Sequence, residues 1–206
     1  MPELRALARR VGTDHELAAA LWASGLHEAR LLAPMVDEPG LVTEEQMEAW
    51  AAGFDSWDVV DGACGTLFDR TPFASNKAIE WSARQEEYVK RAGFVLMATL
   101  AIHDTATPDA AFERFLPIIE REAGDRRNYV RKAINWALRQ IGKRNLALNA
   151  AAISTAERII REQPRGSRWV ASDALRELTS DAVRARLTAR ARRTRAKGRP
   201  ATTASA

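Results

Sequence analysis

The chain has 206 residues, 28% charged and 46% hydrophobic, the balance of one globular domain or two small ones. No run approaches the ~20 consecutive apolar residues of a membrane span, and Met1-Pro2-Glu3-Leu4-Arg5 lacks the apolar core of a secretion signal. A single cysteine, Cys64, excludes an internal disulfide and a cysteine metal cluster, and His15, His27 and His103 stand apart without ligand spacing, so a reduced, cytoplasmic protein with no metal and no cofactor is expected.

Charge is unevenly spread. Residues 1–62 carry 4 Lys/Arg against 12 Asp/Glu, whereas residues 63–206 carry 27 against 15. An acidic leading third on a basic body suits a polyanionic partner, nucleic acid being the commonest.

Apolar residues recur at helical spacing nearly everywhere, and no long alternating segment argues for strands. The spacing predicts helices over 2–11, 15–24, 26–37, 43–53, 56–69, 74–84, 86–103, 108–123, 127–144, 146–162, 168–178 and 181–193. Thr43-Glu44-Glu45-Gln46 fits a capping box, and Ser56 is a candidate cap for the next helix. Pro39-Gly40, Thr71-Pro72, Thr107-Pro108 and Pro164-Arg165-Gly166 are breaks. A helical domain over 1–193 is expected, followed by a basic, unstructured tail over 194–206 with little to bury.

Tyr88-Val89-Lys90-Arg91-Ala92 matches Tyr129-Val130-Arg131-Lys132-Ala133 at an offset of 41, and Trp169-Val170 follows 40 further on. That period belongs to a solenoid of HEAT-type helix pairs, each burying its apolar face on the next. The fold class expected is therefore all-α, an α-solenoid.

Helical wheels separate core from displayed residues. In 127–144, Val130, Ile134, Ala137 and Ile141 form the core stripe. Trp136 lies about 130° from its centre, among Tyr129, Lys132, Arg139 and Lys143. An aromatic ring among cations suits a nucleic-acid sugar or base. Packing between repeats is the bland alternative. Arg91 and Lys132 occupy the same position of successive repeats, in register for a row of phosphates or as two solvated charges. In 56–69 the apolar face is Trp57, Val60, Cys64, Leu67 and Phe68. Asp61 lies on its edge, four residues after Trp57 and beside Gly62 and Gly65, where a desolvated carboxylate could face a ligand or simply be satisfied by a local partner. Met35, Met47, Met97, Trp22, Trp50, Trp81 and Cys64 read as core.

Three segments occur in order: Ser56-Trp57-Asp58-Val59-Val60-Asp61, Tyr88-Val89-Lys90-Arg91-Ala92, and Lys132-Ala133-Ile134-Asn135-Trp136-Ala137-Leu138-Arg139. Together they resemble the AlkD-like DNA alkylation-repair glycosylases, over roughly residues 1–180. The resemblance implies a right-handed solenoid whose concave face holds duplex DNA. It places active-site tryptophans at Trp57 and Trp136, the catalytic carboxylate at Asp61 and a basic site residue at Arg91. Ser56 stands where some relatives carry another Trp. The function implied is hydrolytic excision of cationic alkylated purines, N7-methylguanine and N3-methyladenine, from duplex DNA, without a tight base-flipping pocket. Arg91, Lys132, Arg139, Lys143 and Tyr129 are the expected DNA contacts. The protein is expected to act as a monomer, associated with the nucleoid if bacterial. A non-catalytic binder of damaged or branched DNA and a protein-interaction scaffold are the competing readings.

Overall fold

The computed structural model describes residues 1–162 and 168–197, with side chains to Arg193, and among the described residues all regular secondary structure is helical. The helices are α1 (Pro2–Val11), α2 (His15–Ala23), α3 (His27–Val36), α4 (Glu44–Ala52), α5 (Trp57–Thr66), α6 (Ala74–Ser82), α7 (Glu87–His103), α8 (Asp109–Glu113), α9 (Leu116–Glu122), α10 (Asn128–Gly142), α11 (Leu146–Glu162), α12 (Arg168–Leu178) and α13 (Asp181–Lys197).

Local chemistry sets many of these limits. Asp14 accepts the Leu17 N–H at the start of α2, and Thr43 accepts the Gln46 N–H at the start of α4; only that half of the expected capping box forms, because the Gln46 side chain donates to Asp37 at 2.8 Å instead. Ser56 makes no such bond, so its expected capping role is not realised. The helix expected over 56–69 stops at Thr66 and tightens into a 3-10 turn over Phe68–Arg70. The helix expected over 108–123 is two, because Pro117 sits in the first turn of α9, where its missing N–H is harmless. α13 continues to Lys197, four residues into the stretch expected to be unstructured; the rest of that tail, 198–206, lies outside the described residues, as does the Pro164-Arg165-Gly166 break.

The helices form two layers. One layer is a row in which α1 packs on α3, α3 on α5, α5 on α7, α7 on α10 and α10 on α12. The other supplies α2, α6, α9 and α11 as backing partners. This is the HEAT-like pairing that the 41-residue register implies: Val89, Val130 and Val170 are all buried at matching points of the row. The N-terminal core is aromatic, with Trp22 stacked on Trp50 at 4.2 Å and Trp81 fully buried beneath Phe54 and Phe68. Each such ring removes 150–250 Å² from water, a large share of the folding drive.

α7 is the central member. It touches α5, α6 and α10, and every residue from Val89 to Ala101 is buried, including Lys90 and Arg91. Gly93 lets α6 approach: a Cβ there would lie 2.4 Å from the Ser82 nitrogen. Lys90 is neutralised by Glu122 at 2.6 Å and Asp125 at 3.2 Å. Arg91 is directed toward the row's open face, where the candidate site lies.

Candidate nucleic-acid interface

A cleft of about 870 Å³ opens on the row. Its walls come from α1, α3, α5, α7 and α10 in turn, so it is the hollow of the row's inner face. Asp61 is on its wall, with Trp57 one helical turn earlier on α5 and Trp136 contributed by α10. Trp57 is 50% exposed, which is unusual for so large an apolar ring. Trp136 is half-buried. The wheel therefore placed Trp136 correctly, off the core stripe and on the open face. Gly62 and Gly65 also line the cleft, so the floor beside Asp61 is bare backbone.

Arg91 holds Asp61 in a side-on, two-bond clamp. Its Nε donates to Oδ1 at 3.0 Å and its Nη2 to Oδ2 at 2.8 Å. Nη1 donates to the Tyr129 carbonyl at 2.7 Å, so one guanidinium ties α5, α7 and α10 together. Arg91 is 6% exposed and all three nitrogens are committed. The phosphate contact expected of Arg91 is thereby corrected: it positions the carboxylate. The repeat register misled because α7 is buried from Val89 to Ala101, Arg91 included, whereas Lys132, its equivalent on α10, is exposed.

The Asp61 side chain remains 25% exposed. Burial raises its pKa above the ordinary carboxylate value; the Arg91 bonds and charge oppose that, and the charge of nearby Asp58 adds to it. The result is a carboxylate that is fixed in direction, partly dry and open to the cleft.

The other expected contacts divide. Lys132 is exposed and carries no ion pair among the described residues; with Tyr129, Asn128, Trp57, Asp61 and Arg91 it lines a second hollow of about 460 Å³. The Tyr129 ring leans on Tyr88 at 5.7 Å. Arg139 pairs with Glu177 and reaches Asp173 at 3.5 Å, and Lys143 bonds Glu177 at 2.8 Å. Both are thus neutralised by α12 acids rather than presented as open cations, a correction to the phosphate role expected of them. A wheel drawn on α10 alone contains no acids from α12. Met35, expected in the core, is half-buried and lines the cleft. Trp22, Trp50, Trp81, Met47, Met97 and Cys64 are buried as expected.

Several cleft residues escaped the sequence reading. Arg5 and Arg9 of α1 and Arg70 after α5 are exposed at its edge. The i,i+4 spacing of Arg5 and Arg9 was a legible signal. Each histidine pairs with an aspartate: His15 with Asp37 at 2.6 Å, His27 with Asp58 at 3.0 Å, and His103 with Asp69 at 2.6 Å. The partners are 22 to 34 residues away, so no local pattern announces them. Among the described residues no group of acids, histidines or cysteine is arranged to hold a metal, and no helix is long and apolar enough to cross a membrane.

A match to the DNA alkylation repair enzyme family spans residues 1–178, from α1 through α12. The chain belongs to that family. No curated protein matches the sequence. Among solved structures, the chain is similar to one described as "a new family of proteins related to the HEAT-like repeat DNA glycosylases with affinity for branched DNA structures". The likeness has a TM-score of 0.71 and 19% identity, covering 90% of this chain and 81% of that one. At that identity it shows the fold, a HEAT-like array, and the family match covers every helix that builds the Asp61 cleft.

Proposed function

We propose that the protein is a DNA glycosylase that excises cationic alkylated purines, N7-methylguanine and N3-methyladenine, from duplex DNA. The observation that carries the reading is Asp61, clamped by buried Arg91 and left partly open to a cleft bearing Trp57 and Trp136. A purine alkylated at N3 or N7 is already positive, so it leaves without a strong general acid. The C1′–N bond breaks with its electron pair going to the base, which departs neutral. Positive charge builds on the deoxyribose, as in other oxocarbenium-like transition states.

Asp61 meets that charge as a carboxylate. Its fixed orientation means that little reorganisation accompanies bond breaking. It also accepts a hydrogen bond from the water that adds to C1′, whose proton passes on to solvent. The tryptophan faces stabilise the cationic sugar or lesion by about 0.5–2 kcal/mol each. Lys132, Arg5, Arg9 and Arg70 are exposed cations around the site suited to backbone phosphates. The open, glycine-floored cleft fits an enzyme that works on the backbone without enclosing the base.

The test is direct. Duplex DNA treated with a methylating agent is incubated with the protein, and the released bases are separated and identified. Release of N7-methylguanine or N3-methyladenine supports the reading. Tight, salt-sensitive binding with no released base favours a non-catalytic binder of damaged or branched DNA, the affinity reported for the structural neighbour.

A further inference from the structure

The family match ends at Leu178, yet the chain goes on into α13, which carries seven Lys/Arg and one acidic residue over Asp181–Lys197. Val183 and Leu187, one turn apart, are buried and dock the helix on α11 and α12. Arg190 donates through Nη1 to the Arg144 carbonyl at 3.1 Å and so helps to seat it. Arg184, Arg186, Arg192 and Arg193 are exposed and form no ion pair among the described residues. In this they resemble Lys132, Arg5, Arg9 and Arg70 at the cleft, whereas most buried or half-buried cations of the body are matched by acids, Lys77 by three of them.

These arginines are not equivalent. At ~100° per residue, Arg186 and Arg193 share one stripe with Arg190, whereas Arg184 and Arg192 lie about 100–180° around the helix. The stripe faces a known neighbour. Arg186 and Arg190 line a hollow of about 240 Å³ with Ile102 of α7 and with Gln140 and Lys143 near the end of α10. Ile102 also lines the Asp61 cleft, and Gln140 lies one turn beyond Trp136. The cleft thus continues past the α7 and α10 ends onto the Arg186 side of α13.

We infer that α13 is an accessory phosphate-binding helix that grips the duplex arm leaving the cleft on this side, through Arg186 and Arg193. The two are seven residues apart, about 10 Å along the helix. Duplex DNA offers a charge for every ~1.7 Å of axis, so both can be engaged by one arm. The inference rests on the proposed function only in taking duplex DNA as the occupant of the cleft.

The test compares two variants with the same charge change, R186Q/R193Q and R184Q/R192Q, beside wild type. Binding of an unmodified, labelled duplex of about 25 base pairs is measured across a range of salt concentrations. Loss of two phosphate contacts lowers the slope of log affinity against log salt by about 2, and lowers affinity at 0.1 M salt by about 50-fold. R184Q/R192Q is expected to keep the wild-type slope. Circular dichroism checks that both variants remain folded; all four side chains are exposed, so their melting should match wild type. Equal losses in the two variants, or no loss in R186Q/R193Q, would overturn the assignment. No binding by wild type would overturn both this and the proposed function, whereas binding without base release leaves the assignment to stand on the slopes.

Discussion

Replacing Arg91 with methionine keeps the buried stem and removes the guanidinium that holds Asp61. Three hydrogen bonds disappear, two to the carboxylate and one to the Tyr129 carbonyl. Removing one partner of a buried pair costs about 3–5 kcal/mol. Asp61 keeps a quarter of its side chain in water, so the lower end applies, about 3 kcal/mol. For a chain of this size that is a fall in Tm of about 6–12 °C. The loss has a pH signature. The Asp61 pKa is already raised in the folded protein, so this group favours folding when protonated and withdraws that support as pH rises through its folded pKa. Without Arg91 the folded pKa climbs further. The Tm gap between wild type and R91M is therefore smaller near about pH 5 than near about pH 8, the lost Tyr129 bond costing the same at both. Calorimetric melts at both pH values provide the assay. An equal gap at both, or none at either, would refute the view that the guanidinium serves chiefly to keep Asp61 ionised.

In the proposed reaction base release needs ionised Asp61, so the rate should fall on the acid side as the carboxylate takes a proton. Because its pKa is raised, the midpoint of that limb lies above the ordinary value of 3.8, which a pH–rate profile at saturating DNA checks. Trp57→Ala removes a ring that is half exposed, so melting changes by less than about 1 kcal/mol while single-turnover release drops about tenfold. Gly93→Ala forces a Cβ to within 2.4 Å of the Ser82 nitrogen, prying α6 from α7 at a cost of about 3 kcal/mol in denaturant melts. Gly62→Ala meets only Leu31 at 3.8 Å inside α5, and the same melts should show a gain of about 1 kcal/mol.

Helix positions were legible because amphipathic spacing and caps act locally, as at Thr43. The two-layer architecture was legible because the 41-residue register recurs at Val89, Val130 and Val170, all buried. Trp136 could be placed because α10 has one core stripe and one open face. On α7, buried from Val89 to Ala101, no open face separates core from displayed residues around Arg91, which passed for a surface cation when it is the clamp on Asp61. Arg139 and Lys143 were misjudged for a related reason: their counter-charges, Asp173 and Glu177, arrive from the next helix of the row. Sequence spacing shows which face a side chain takes, and partners 30 or more residues away decide whether its charge is open or spent.

In the proposed reaction Asp61 performs the chemistry on a bound duplex. Single-turnover release from a duplex carrying one N7-methylguanine tests it most directly, comparing wild type with Asp61→Asn and measuring binding on the same samples. Wild type should release the base, the variant should lose nearly all release, and both should retain binding. Release by Asp61→Asn at close to the wild-type rate would contradict that role of Asp61.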